Sequence, residues 1–299
     1  MFQRVISCGF ILLAVSCRSV AFTASVGSRA EVITSSTKMK PVRIGTSARN
    51  TKLQLSGNAE QLQATPQVDF DAIIKYHGAI AIQMVCFSGI FFALDAAVGA
   101  VGMDIPFPVL VALFYAISLK SRVLNPLNNQ RPKLINAVQD GPPSKGFRDR
   151  IMPSWTPPGP VFPIMWLLII GPLRAYSSAL VYTETHAFLH PAIMALIFHL
   201  SVGDVWNTIN NTERRFGAAV TGVLCVTASA LNVAYQYHGV SKLAGDLVGL
   251  PLIWFAVATS LVTATWQVNP DEDTGDKDAL YPIVGQSKTT FAWFATKDE

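Results

Sequence analysis

Three apolar stretches hold the residues with most to offer chemically. PSWTPPGPVFPIMW at 153–166 places Trp155, Pro157, Pro158, Phe162 and Trp166 at the mouth of a run that continues LLIIGPLRAYSSALV. FHLSVGDVWNT carries His199, Gly203 and Trp206 on one helical face, with the glycine leaving room beside the ring. LPLIWFAVATSLVTATWQVNP repeats the arrangement with Trp254, Ala258 and Leu261, and Trp266 marks its far interface. Phe162, Trp166, Ile169 and Leu173 also fall on one face of an α-helix. Spacing alone leaves two readings of these rings open, the wall of a pocket or core packing. His199 is placed to hydrogen-bond a neighbouring helix. Asp95 and Asp204 are acids inside or at the edge of apolar runs, where a carboxylate is a functional candidate by default. There is no Ser-His-Asp arrangement, HExxH, phosphate-cradling glycine loop or carboxylate pair, so no catalytic residue is predicted. The cysteines form no CxxC pair or zinc spacing, and no metal site is predicted.

These residues need a membrane around them. The chain is 51% hydrophobic and 14% charged, where soluble proteins carry about 25% charged residues. Its net charge of +4 is spread out rather than gathered in a stripe, which argues against nucleic acid as a partner. Apolar segments fall at about 79–102, 105–119, 160–182, 187–206, 216–236 and 245–266, and most reach the roughly 20 residues of a spanning helix. The segment IPFPVLVALFYAISL is shorter, with Pro106 and Pro108 in its first turn. It reads as a short span, a re-entrant piece or the second half of a bent first helix, which leaves five or six spans. The loop 120–152 holds seven basic residues against Asp140 and Asp149, and Arg214 and Arg215 fall on the same side. The positive-inside rule puts that side in the cytoplasm or stroma.

Residues 1–22 have the layout of a signal peptide, with an apolar core too short to span. Residues 23–68 are rich in Ser and Thr, with six Lys or Arg and only Glu31 and Glu60 as acids, the composition of a transit peptide. Together they resemble the bipartite presequence of algae with secondary plastids, with Phe22 following the cleavage point. A plastid membrane, envelope or thylakoid, is the expected location; a plain secretory signal with a spacer is the alternative, and a mitochondrial membrane a further one. The expected organisation is a signal peptide at 1–22, a transit-like segment at 23–68, a transmembrane domain at 69–270 and an acidic polar tail at 271–299.

Over roughly 153–270 the chain resembles the TspO/MBR family of tryptophan-rich sensory and translocator proteins. Its W-x-P-P-x-W-x-F-x-x-V-W pattern is met by Trp155, Pro157, Pro158, Phe162 and Trp166, with Pro160 for the middle tryptophan and Met165 for the valine. Its Q-L-A-L-N-x-x-W stretch is met by Leu200 and Trp206, with His199 for Gln and Gly203 for Asn. Its last helix is met by Trp254, Ala258, Thr259, Leu261, Trp266 and Asn269, with Val262 for the first Asn. The resemblance implies an all-α integral membrane protein, a five-helix bundle with room for one extra N-terminal helix. It implies an apolar pocket closed by the Trp155–Pro160 loop, a tetrapyrrole (protoporphyrin IX or haem) or sterol-like ligand, and a homodimer. The binding residues carried over are Trp155, Pro157, Pro158, Phe162, Trp166, His199, Gly203, Trp206, Trp254 and Ala258, with His199 as a candidate axial haem ligand. Propionates would meet Lys145, Arg148 and Arg150. The expected role is ligand transport, scavenging or sensing. A light-dependent porphyrin-degrading enzyme and an assembly subunit of a plastid membrane complex are the alternatives, the second favoured by Pro160, Gly203 and Val262.

Overall fold

A computed structural model describes residues 66–102, 104–130, 150–271 and 275–294. The chain divides between Gln67 and Val68, and the features below belong to Val68–Glu299. Residues 1–65, which hold nearly all of the expected presequence, and most of the basic loop, Lys145 and Arg148 included, lie outside the described residues.

Helix α1 (Phe70–Val101) begins where the Asp69 carboxylate accepts the Ala72 amide at 2.9 Å, and it ends on Gly102, whose positive φ of 65° suits a residue without Cβ. Helix α2 (Phe107–Lys120) starts afresh behind Pro106 and runs through a 3₁₀ turn, Ser121–Leu124. The short segment is thus a helix of its own, antiparallel to α1, and the described residues contain six helices long and apolar enough to cross a bilayer. The others are α3 (Val161–Thr185), α4 (Pro191–Thr212), α5 (Phe216–His238) and the pair α6 (Lys242–Gly249) and α7 (Leu252–Val268). The last pair is split at Pro251, which has no N–H to carry the helix through.

Helix α4 is the centre of the bundle: 72% of its apolar window is buried against protein, compared with 11% for α1, whose remaining surface is left for lipid. It packs on α5 and α1; α5 packs on α6 and α7, and α3 on α2. At the end away from the basic loop, Phe91, Phe114 and Tyr182 surround Phe188 at 4.3–5.9 Å between ring centroids. Asp95 serves that end structurally, accepting the Phe188 and Leu189 amides at 2.7 and 3.0 Å and fixing the α3–α4 turn.

Two π-turns interrupt the spans, and the first has a visible cause. Pro172 cannot donate to the carbonyl four residues back, and its ring crowds that carbonyl. The helix widens to i→i+5 bonding over Met165–Ile170, so the Gly171 amide reaches the Trp166 carbonyl. The freed Leu167 carbonyl accepts the Tyr115 hydroxyl at 2.8 Å. The second π-turn, Thr208–Thr212, closes α4.

The segment after the last span packs back against the basic-side end of the bundle. Val68 and Ile283 form one antiparallel bridge, and Leu127 and Phe291 another. The Trp266 indole donates to the Asp278 carbonyl at 2.9 Å and Thr221 to the Leu280 carbonyl at 2.6 Å. A Cβ on Gly217 would stand 2.1 Å from the Ala279 carbonyl oxygen, so α5 meets this strap through bare backbone. Arg215 ties the assembly together: its fully buried guanidinium lies 2.8 Å from Asp69 and 3.1 Å from Glu213, and donates to the Ser287 carbonyl at 2.6 Å. The Tyr76 hydroxyl also donates to Glu213. The residue read as a topology signal is therefore an internal tie.

Burial pushes the Glu213 carboxyl above the ordinary glutamate range, against the pull of Tyr76 and Arg215. Burial opposes the Asp69 charge as well, but the Ala72 amide and Arg215 prevail and hold that carboxyl below the usual range. A depressed carboxyl contributes stability that is present above its unfolded pKa, about 3.9, and is lost as pH falls through the depressed value. Amide exchange at Ala72, taken relative to its intrinsic rate at each pH, should accordingly quicken below about pH 4. In Asp69→Ala it should be fast at every pH, with the loss of a cap worth about 1 kcal/mol; unchanged exchange in the variant would refute the role given to Asp69.

Candidate functional site

The loop entering α3 is clamped from α7. Asn269 accepts the Ile151 amide and donates to the Ile151 carbonyl, both at 2.8 Å, and donates to its own helix at Thr265. Arg150 donates to the Asn210 carbonyl and lies 5.4 Å from the Phe216 ring, so it fastens this loop to the α4–α5 turn. Thr156 closes a turn on the Pro153 carbonyl. Trp155 at its tip is 49% exposed, Pro158 is exposed and Pro157 half-buried. They form the approach to α3 rather than a wall inside the bundle.

The π-turn divides the stripe expected on α3. Ile169 and Leu173 face outward with Met165, and with Pro251, Trp254 and Val257 of the α6–α7 region they line an apolar groove of about 230 Å³ on the flank of the bundle. Phe162 meets Trp254 edge-on at 6.0 Å. Trp166 turns the other way, towards Phe255 at 6.0 Å and the cluster Val202, Val226 and Ala230. An unbroken α register would keep all four on one face; the residue inserted ahead of Pro172 is what separates them.

Inside the bundle Trp166 meets a polar set. Arg174, 7% exposed, lies 5.6 Å from the Trp166 ring and 6.0 Å from the Phe255 ring. Its Nη2 approaches His199 Nε2 at 2.5 Å. His199 Nδ1 lies 2.8 Å from Ser229 Oγ, and that hydroxyl donates to the Val226 carbonyl at 2.8 Å. Since the serine proton is spent on the carbonyl, Ser229 accepts from His199 Nδ1–H, and the Nε2 lone pair accepts from arginine. This arrangement fixes the neutral imidazole in one tautomer. It also occupies the nitrogen that would ligate a haem iron, so axial ligation would require Arg174 to be displaced. Below Arg174, Ser178 donates to the Arg174 carbonyl and meets the Tyr237 hydroxyl, both at 2.7 Å.

Asp204 is buried, not at an interface. It accepts from Gln83 Nε2 and Ser121 Oγ, each at 2.8 Å, and Asn125 donates to Gln83 at 3.2 Å. The network joins α4 to α1 and to the end of α2. Trp206 is half-buried and donates to the Ala219 carbonyl at 3.0 Å. Its room comes from Gly222, where a Cβ would lie 2.8 Å from the indole Cδ1, and not from Gly203, where a Cβ would meet nothing within 4 Å. Gly222→Ala should therefore cost about 1–3 kcal/mol in thermal unfolding and Gly203→Ala should not; equal effects would contradict this packing. Ala258 is half-buried on α7.

The structure thus gathers Trp166 and His199 into one interior set, packs Trp206 against the same cluster of Val202, Val226, Ala230 and Phe255, sets Phe162 against Trp254 of the outer groove, and leaves Trp155 at the exposed loop tip. Arg174, Ser229 and Phe255 escaped the sequence reading. Arg174 carried a signal, a single cation inside an apolar run; Ser229 and Phe255 carried none.

The TspO/MBR family model matches residues 134–267. Among characterised proteins the chain is similar to Protein CrtK of Rhodobacter capsulatus, 26% identical over 123 residues that make up 40% of this chain and 76% of that protein.

Proposed function

Because residues 134–267 belong to the TspO/MBR family, we propose that this membrane protein binds a hydrophobic ligand of the tetrapyrrole class, protoporphyrin or haem, for transport, scavenging or sensing. The observation that carries the reading is the convergence of Trp166 and Phe255 on a buried polar pair, Arg174 and His199. Flat aromatic faces suit a macrocycle, and a cation suits its propionates. A sterol-like ligand would use the same rings without the cation. The full chain in detergent, mixed with protoporphyrin IX, should shift the Soret band with saturation at one ligand per chain; a shift that grows without saturation would count against the reading.

The second reading is an assembly subunit, favoured by an interior that its own side chains fill and by the largely unburied α1. Co-purification of the chain in a fixed stoichiometric complex, with no saturable porphyrin binding, would select it. We place either role in a plastid membrane on the composition of residues 1–68. A fluorescent protein carrying 1–68 should enter plastids of an alga with secondary plastids, and retention in the secretory pathway would exclude that location.

A further inference from the structure

Arg174 is a buried cation with no direct ion pair among the described residues, and Asp204 acts on it only from a distance. It lies midway along the Val161–Thr185 span, and no carboxylate among the described residues pairs with it. The buried acid of α4, Asp204, is already committed to Gln83 and Ser121. The one hydrogen bond of Arg174 goes to a neutral imidazole. Its other N–H groups have no acceptor among the described residues, yet none of them is fully enclosed. A cation at this depth is costly unless it meets a counter-charge. One turn from His199, Gly203 leaves open space where its side chain would be.

The chemistry of the walls limits what could supply the missing charge. Trp166 and Phe255 flank the guanidinium with apolar faces, so the partner must carry its anion on an apolar body. A guanidinium presents parallel N–H groups that match a carboxylate in bidentate geometry, which a lysine could not do. His199 holds the fork from one side, anchored in turn by Ser229. We propose that Arg174, positioned by His199, is the anchor for the carboxylate of a hydrophobic amphiphile bound within the bundle. The inference rests on the reading that the bundle takes a hydrophobic ligand, and it names the group that is recognised. A tetrapyrrole propionate and a fatty-acyl carboxylate share that chemistry.

The test compares acids with their neutral esters, using the full chain in detergent at neutral pH. Protoporphyrin IX and its dimethyl ester form one pair of probes, and cis-parinaric acid and its methyl ester the other. A charge-assisted bond to a buried arginine is worth about 1.5–3 kcal/mol, so an acid should bind at least about tenfold more tightly than its ester. Arg174→Gln should bring the acid to the level of the ester, with an unchanged elution volume on size exclusion showing that the variant is folded. Arg174→Lys should recover part of the preference.

Equal, saturable binding of protoporphyrin and its ester by the wild type, with no acid preference for the fatty acid, would overturn the anchor and leave the tetrapyrrole reading standing. Acid-selective binding of parinaric acid alone would support the anchor and remove the tetrapyrrole. Binding of none of the four probes would overturn both. An acid preference that survives Arg174→Gln would overturn Arg174 as its source.

Discussion

Replacing Arg215 with Met should unfold the basic-side end of the molecule. The substitution keeps most of the volume, so its effect reports the charge. Without the guanidinium, Asp69 and Glu213 lose their shared cation, and the Ser287 and Ile283 carbonyls lose a donor. Removing one partner of a buried charge set costs about 3–5 kcal/mol. We expect a large drop in thermal stability in detergent, and proteolytic release of the 275–294 strap from a bundle whose helices stay protected. Substitution of Lys75, which donates to the Thr289 carbonyl of the strap at 3.0 Å, should loosen the strap by less than Arg215→Met does, since it removes one partly exposed hydrogen bond and strands no buried carboxylate. A strap that stays protected in Arg215→Met would mean that the contacts of Phe291 and Ala279 hold it unaided.

The second large effect is expected at His199. Changing it to Leu keeps the apolar packing against Phe255 but strips Arg174 of its only acceptor among the described residues. Hydrogen bonds to charged groups are worth about 1.5–3 kcal/mol, and losing one inside a membrane leaves a desolvated cation. His199→Leu alone should therefore destabilise by about 2–3 kcal/mol. The double variant Arg174→Leu, His199→Leu should be more stable than His199→Leu, because replacing a whole buried polar pair by apolar groups is tolerated far better than halving it. Additive losses would show that the two residues do not act as a pair.

The sequence disclosed the spans and the three motif blocks, because twenty-residue apolar runs and tryptophan–proline spacing are local properties. The short segment became a helix of its own at Gly102, whose left-handed turn separates α1 from α2. What stayed hidden depends on distant partners or a changed register. Pro172 was in view, but its consequence, the rotation of Trp166 away from Ile169 and Leu173, appears only once the widened turn is seen. Gly203 shares a face with Trp206, yet the neighbour that makes room for the ring is Gly222 on the next helix. Arg215 looked like one more loop cation because its partners lie 146 residues before it and 72 after. Arg150 was expected to greet a propionate and instead fastens the loop. Arg174, the cation we propose for that task, has its partner 25 residues away on another helix.

We propose a tetrapyrrole seated against Trp166 inside the bundle. The most direct test of this is a protoporphyrin IX titration of the wild type, Trp166→Ala and Trp155→Ala, followed by ligand fluorescence. The account expects saturable binding, weakened at least about tenfold by Trp166→Ala, since a ring's stacking and burial are worth about 1.5–3 kcal/mol. It expects a smaller loss, within about threefold, from Trp155→Ala at the exposed loop tip. Saturable binding indifferent to Trp166, or no saturable binding in the wild type, would contradict it.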